Sequence, residues 1–216
     1  MSEVNSAVQL SCLDFSNALA SKAPTPGGGG AAALSGALGA ALGHMVIQLT
    51  LGKKRYAAHD QLHRELQEQL EALQSDMLAM IDRDAESFRP LAAAYGIKAE
   101  TNEEKEAKEV IMQAALKNAV VVPLEITQAA FRGLEIQAKL AQTGSRLAIS
   151  DVACGVQALR TALLSGRVNV LINLSMISDQ EYVAENKSKL DTLCNEGVAL
   201  ADSIFATVEA ALWSEA

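Results

Sequence analysis

The chain has 216 residues, half of them hydrophobic and only 4% aromatic, which is enough for one sizeable core built from Leu, Ala, Val and Ile. Its formal net charge of −8 argues against nucleic acid as the main partner, because a phosphate backbone selects a basic surface. The three cysteines, Cys12, Cys154 and Cys194, have no CxxC spacing and read as reduced core thiols of a cytoplasmic protein; "MSEVNSAVQLSCLDF" lacks the basic-then-apolar pattern of a signal peptide.

In chain order, Val8, Leu10, Leu13 and Leu19 predict a first amphipathic helix over residues 7–21. "KAPTPGGGG" breaks it, since Pro and Gly there cannot continue a helix. A second helix is predicted from about Gly29 to Leu51. Its large residues (Leu34, Leu38, Leu42, Met45, Leu49) and its small ones (Ala33, Gly36, Ala40, Gly43) each step by three or four and form two stripes. "LGKKRY" then ends the helix with positive charge, which suits its dipole. A long helix follows from about Tyr56 to Tyr95, sustained by Leu62, Leu66, Leu70, Leu73, Met77, Met80, Phe88 and Leu91, with a bend expected at Pro90. Thr101 and Glu104 form a capping-box pattern for a helix over about 102–141, in which Pro123 is an expected kink or break. Ser150 and Asp151 are the expected caps of a helix through about Leu164. "GRVNVLINLSMI" is rich in β-branched residues, but a lone strand has nothing to pair with, so it reads as a buried helical segment. Ser178, with Glu181 three residues on, opens a last helix to about Trp213. The expected fold class is all-α, an antiparallel bundle of long helices forming a single domain over residues 1–216.

The stretch "PTPGGGGAAALSGALGAALGH", residues 24–44, lies in a region with no charged side chain between Lys22 and Lys53, and Gly39 and Gly43 form a GxxxG pair. Gly and Ala partition weakly into lipid, and Ser35, His44 and Gln48 interrupt the run, so the favoured reading is a helix packed inside the protein, with no membrane partner. The small stripe then lets a neighbouring helix or a partner subunit approach closely. Four glycines exceed what a helix cap needs. Successive glycines let backbone N–H groups converge on one point at the positive end of a helix dipole, where an anion or carbonyl can dock. GxxxxGK[ST] is absent, so this is not a P-loop.

Few polar residues stand out from apolar surroundings. Asp151 suits a first-turn carboxylate resting on a helix dipole. Asn169 and Asn173 share one helical face, either bonding nearby backbone or binding a flat heterocycle. Lys53, Lys54 and Arg55 form a solvated helix end or a site for a carboxylate tail. Asp82, Asp84 and Glu86 belong to the exposed face of the long helix, with Asp82 and Glu86 aligned for an alternative acid/base role. His59 and His63 are spaced as in some zinc sites, but HExxH and a third ligand are missing, so no metal is expected. His44 reads as a satisfied core histidine.

"PTPGGGGAAALSGALGAALGHMVIQLTLGKKRY" resembles the signature of the cyclodeaminase/cyclohydrolase family, which includes the C-terminal domain of formiminotransferase-cyclodeaminase and stand-alone methenyltetrahydrofolate cyclohydrolases. "NEEKEAKEVIMQAALKNAVVVPLEI" is similar to the family's charged helix leading to a Val-Pro step. "AISDVACGVQALRTALLSGRVNVLINLSMISDQEYV" is similar to its Ser-Asp segment followed by Asn-Val-x-x-Asn. The resemblance covers essentially the whole chain, with one departure: where family members often carry Leu-Pro-Lys, this chain reads "AYGIKAE", leaving Lys98 as the substitute.

The resemblance implies an all-α homodimer or higher homo-oligomer with a folate site near the subunit interface. It implies a tetrahydrofolate derivative as substrate and no separate cofactor. It gives Asp151 the catalytic role, as acid/base or cation-stabilising carboxylate. Asn169 and Asn173 would orient the pterin, Thr25, Gly27, Gly28 and Gly29 would supply the donor turn, and Lys53 and Lys54 would meet the carboxylates. The implied reactions are conversion of 5-formiminotetrahydrofolate to 5,10-methenyltetrahydrofolate plus ammonia, and hydrolysis of that product to 10-formyltetrahydrofolate. The alternative is a non-catalytic scaffold, dimerising through its small-residue helix or binding folate.

Overall fold

Six α-helices build this computed structural model, which describes residues 6–213: α1 (Cys12–Leu19), α2 (Gly28–Gln48), α3 (Asp60–Tyr95), α4 (Asn102–Thr143), α5 (Ile149–Leu174) and α6 (Gln180–Trp213). Short 3-10 turns at Ala7–Gln9, Lys54–His59 and Arg146–Ala148 join them, and no strand occurs among the described residues. The all-α expectation therefore holds, while residues 1–5 and 214–216 of the expected domain lie outside the described residues.

α2 sits at the centre because its inward face is almost without side chains. Ala33 and Ala40 are fully buried. A Cβ on Gly36 would collide with Met77 of α3, one on Gly39 with Leu159 of α5, and one on Gly43 with Gln137 of α4. Small residues thus bring three helices within backbone reach of a fourth. The pairings run in opposite order, Gly29 beside Asp84, Gly36 beside Met77 and Gly43 beside Leu70, so α2 and α3 are antiparallel. Gly28 beside Asn169 and Gly36 beside Ala162 make α2 and α5 antiparallel too. Gln137, fully buried, ties this core together by donating to the Gly39 carbonyl at 3.0 Å.

The large stripe of α2 does the opposite of what an internal helix would do. Leu38 is 55% exposed, and Met45 and Leu49 are exposed as well. On α5, Val168 and Ile172 are exposed as well, near the start of α2 where Asn169 meets Gly28. Both helices therefore leave large apolar side chains exposed. By length and composition α2, α4 and α5 are each apolar enough to cross a membrane, with about half of each apolar window buried inside the bundle.

Several boundaries differ from expectation. The predicted 7–21 helix is split, because Ser11 accepts the Asp14 N–H and starts α1 there; Phe15 turns inward and Leu13 stays exposed. α5 begins one residue before Ser150 and has no side-chain cap; Ser150 and Asp151 lie in its first turn. It continues unbroken through the β-branched run to Leu174, since Val170 and Leu174 extend its buried face. For α6 the capping side chain is Asp179, which accepts the Tyr182 N–H at 3.1 Å, not Ser178. The Thr101/Glu104 capping box forms as read. Neither proline ends its helix: α3 runs past Pro90 to Tyr95, and α4 runs through Pro123 for 42 residues. Two of the three cysteines, Cys12 and Cys154, are exposed, so only Cys194 is a core thiol.

Candidate active site

The turn "PTPGG" enters α2 through a cis peptide bond between Thr25 and Pro26, with Gly27 as a cap residue that offers no side chain. The first N–H groups of a helix have no intrahelical acceptor. One of them, at Gly30, donates to the carboxylate of Asp84 on α3. Those of Gly28 and Gly29 have no protein acceptor among the described residues. Gly29 is glycine for a steric reason: a Cβ would overlap the Asp84 carboxylate, approaching Oδ2 to 2.5 Å. So the glycine turn does bring donors to one place, and one of them is taken by the protein's own Asp84.

Asp84 is half-buried, and loss of solvent pushes its carboxyl above the usual carboxylate range, opposed in part by the Gly30 N–H. Its backbone is steadied from the side: the Ser87 hydroxyl donates to the Asp84 carbonyl at 2.9 Å, and Asn118 Nδ2 donates to the Ser87 carbonyl at 2.9 Å.

Opposite this carboxylate, α5 supplies the two asparagines. Asn169 Nδ2 donates to the Ser165 carbonyl (2.8 Å), and Asn173 Nδ2 donates to the carbonyls of Asn169 (2.9 Å) and Ala119 (3.2 Å). Asn173 thus spends both amide hydrogens on backbone and Asn169 one, as one of the two sequence readings had it, and the pair still lines the cavity as the other required. The Ala119 carbonyl is available because of Pro123: proline has no N–H to occupy the carbonyl four residues earlier. The Val-Pro step therefore anchors Asn173 instead of breaking α4.

Together Pro24, Thr25, Gly27, Gly28, Gly29, Asp84, Phe88, Asn169 and Asn173 line a cavity of about 150 Å³. Phe88 and Ile172 make its apolar walls. It pairs a half-buried carboxyl with free helix-start donors and an apolar surface, an arrangement that can support proton transfer on a flat, partly cationic ligand.

Other predicted residues lie elsewhere. Asp151 sits in the first turn of α5, 18 residues before Asn169, which on a straight helix is about 27 Å away. Within one protomer it lies outside this cavity, whose carboxylate is Asp84. Lys53 and Lys54 are also at the far end; Lys53 Nζ lies 3.3 Å from the Ser145 hydroxyl, and Lys54 is exposed. Lys98 is exposed in the loop after α3. Asp82 is occupied by the N-terminal segment, accepting from the Ser6 hydroxyl and, at 2.7 Å, the Ala7 N–H. With Glu86 it borders a neighbouring cavity of about 420 Å³. His44 is not in the core; it bridges to Glu71 at 3.3 Å on the α2/α3 surface. His63 is buried, its Nε2 3.0 Å from the Thr143 hydroxyl, and among the described residues no three His, Cys, Asp or Glu side chains are grouped to hold a metal.

Asp84 was legible in principle. It sits four residues after Met80 and four before Phe88, so it fills a slot in the apolar period of α3 that the flanking residues assign to the core. A carboxylate in a core slot is the signal, and grouping it with Asp82 and Glu86 as one exposed face hid it.

Comparison with known proteins shows the family. The chain is 38% identical to a methenyltetrahydrofolate cyclohydrolase from Methylorubrum extorquens over 90% of its own length and 94% of that protein. It is 30% identical to the formimidoyltransferase-cyclodeaminase of Rattus norvegicus, but spans only 36% of that longer protein. A formiminotetrahydrofolate cyclodeaminase crystal structure from Thermotoga maritima superposes with a TM-score of 0.77 at 27% identity, covering 93% of this chain and 94% of that one. Residues 11–192 match the formiminotransferase-cyclodeaminase family, and the chain belongs to it.

Proposed function

We propose that the chain is a folate one-carbon enzyme whose reacting centre is the Asp84 cavity. The observation that carries this is a partly desolvated carboxylate on a glycine-rich helix start, faced by two asparagines, in a chain matching a cyclohydrolase over nearly that protein's whole length. In hydrolysis, water attacks the carbon bridging N5 and N10 of the 5,10-methenyl cation. Asp84 takes a proton from that water and delivers it to N5 as the C–N5 bond breaks, while the remaining hydroxyl proton is released to solvent as the formyl C=O forms, leaving 10-formyltetrahydrofolate. In cyclodeamination, N10 attacks the formimino carbon, Asp84 takes the N10 proton and returns one to the departing ammonia. Both paths pass through a tetrahedral carbon beside a cationic centre, so one carboxylate serves both. Its raised pKa brings it closer to a working acid/base at neutral pH. The Gly28 and Gly29 N–H groups would hold a carbonyl of the ligand, and the asparagine oxygens would accept from its N–H groups. The chemistry needs neither a metal nor a redox cofactor.

The reading includes a homodimer in a reducing, cytoplasmic setting, with no nucleic-acid or membrane partner. The exposed Leu38, Met45 and Leu49 of α2 support a second copy as their cover. The purified protein tests the activity directly. Methenyl absorbance should fall when 5,10-methenyltetrahydrofolate is supplied and rise when 5-formiminotetrahydrofolate is supplied; neither change, with folded protein, rejects the reading.

A further inference from the structure

Two of the helices that line the Asp84 cavity carry an internal proline, Pro90 on α3 and Pro123 on α4. Each removes one backbone donor and opens its helix one turn earlier, at the Glu86 and Ala119 carbonyls. In each opened turn an asparagine from another helix makes a bond. Asn173 of α5 donates to the Ala119 carbonyl at 3.2 Å, and Asn118 of α4 donates to the Ser87 carbonyl, next to Glu86, at 2.9 Å. Two successive α4 residues, Asn118 and Ala119, therefore hold one bond to each of the walls that face each other across the cavity.

The bond to α3 reaches Asp84 in one further step. The Ser87 hydroxyl donates to the Asp84 carbonyl at 2.9 Å, so Asn118 fixes the turn from Asp84 to Ser87 from outside. That turn is short of one support of its own, because Pro90 leaves the Glu86 carbonyl without its intrahelical donor. Position there matters to a fraction of an ångström. The Asp84 carboxylate fills the space of the absent Gly29 side chain, with Oδ2 only 2.5 Å from where a Cβ would stand, and it accepts the Gly30 N–H. On the α5 side α4 has further ties: Gln113 bonds the Met176 carbonyl and the Ser178 N–H, and Lys117 bonds Asp179. On the α3 side near Asp84 it has, besides Asn118, the half-solvated Arg83–Glu125 bridge, which is a weak restraint. Asn118 itself is exposed and does not line the cavity.

We infer that Asn118 is a positioning residue for Asp84: through Ser87 it holds the proline-opened turn of α3 so that the carboxylate stays on the Gly30 N–H. This rests on the folate reading for the reaction that Asp84 serves. Without the Asn118 amide the turn relaxes and the carboxylate withdraws from Gly30. Rate suffers rather than ligand binding, because Asn169 and Asn173 keep their own backbone bonds. The Gly30 N–H opposes the effect of burial on the Asp84 carboxyl, so its loss pushes that carboxyl further up. A base that works in its ionised form then needs a higher pH.

Asn118→Ala and Asn118→Gln, assayed for methenyltetrahydrofolate hydrolysis across pH, test the inference. Ala removes the donor, and Gln keeps it on a longer arm; the site is exposed, so neither change disturbs the core. Asn118→Ala should lower kcat about tenfold, leave KM within about twofold, and move the acidic limb of the kcat profile to higher pH. Asn118→Gln should recover a clear part of the lost kcat. An unchanged profile in Asn118→Ala, or Asn118→Gln no faster than Asn118→Ala, overturns the inference. A second measurement does not depend on the reaction: the titration of Asp84, followed by NMR of its carboxyl carbon. It should move to higher pH in Asn118→Ala and stay in place in Gln113→Ala, which removes two cross-helix bonds of α4 on the α5 side. No movement in Asn118→Ala, or equal movement in both variants, overturns the inference. Wild type inactive on both folates, with the Asp84 titration displaced in Asn118→Ala alone, would reject the folate reading and uphold the placement of Asp84 by Asn118.

Discussion

Gly29→Ala isolates the role of the glycine turn. The added methyl would come within 2.5 Å of Asp84 Oδ2 and closer to the rest of the carboxylate. An ordinary carbon–oxygen contact is more than 3 Å, so the carboxylate must retreat by about 1 Å and leave the Gly30 N–H. Overpacking of this kind costs about 1–3 kcal/mol, and Ala returns up to about 1 kcal/mol in helix propensity, leaving a net loss of about 0–2 kcal/mol. The chemistry should suffer more, since displacing a reacting group by about 1 Å can cost on the order of 100-fold in turnover. Gly30→Ala is the matched control. Its Cβ would meet Pro26 at 3.5 Å and Ile81 at 3.8 Å, both ordinary contacts, and its N–H would remain. Decay of methenyltetrahydrofolate absorbance beside thermal unfolding reads both effects. Wild-type turnover in Gly29→Ala, or an equal fall in Gly30→Ala, would refute the claim that this turn exists to seat Asp84.

Three further outcomes follow from the geometry. Because burial raises the Asp84 pKa, the folded state holds that proton more tightly than the unfolded chain; the ionised group costs stability above its folded pKa, and that cost is relieved as pH falls through it. Asp84→Asn should therefore unfold at or above the wild-type temperature at neutral pH, with the gap closing on acidification; a gap that widens on acidification contradicts the assignment. Pro123→Ala restores an N–H to the Ala119 carbonyl and should strengthen α4 by up to about 3 kcal/mol while loosening Asn173, raising KM several-fold; unchanged KM would detach Pro123 from the site. Asp151→Asn should leave turnover within about twofold of wild type, given its distance of about 27 Å along α5. A large loss of turnover with normal folding would restore Asp151 as the catalytic carboxylate.

Helix periodicity and capping made most of the fold readable. The two stripes of α2 and the Thr101/Glu104 box appear in the structure where the residues place them. What periodicity lacks is a direction. It separates the small stripe of α2 from the large one but does not say which faces inward, and here the small one does, because close approach of α3, α4 and α5 outweighs burial of leucines. The proline effects were misread for a related reason. Pro123 is a local helix breaker, yet the carbonyl it frees is satisfied by Asn173, 50 residues later in the chain, and that contact exists only in the folded bundle. Of the candidate site, the glycine turn and Asn-Val-x-x-Asn meet in one cavity, while Asp151 lies toward the other end of α5, because the sequence does not show which end of that helix faces the glycines.

The most direct test of the central claim measures turnover and binding together for wild type and Asp84→Asn. Both proteins are titrated calorimetrically with a folate, and both are assayed for loss of methenyltetrahydrofolate absorbance. An acid/base role at the reacting carbon predicts that Asp84→Asn binds within about tenfold of wild type and loses turnover by at least about 100-fold. Equal turnover in the two proteins, with both folded and binding, would contradict it.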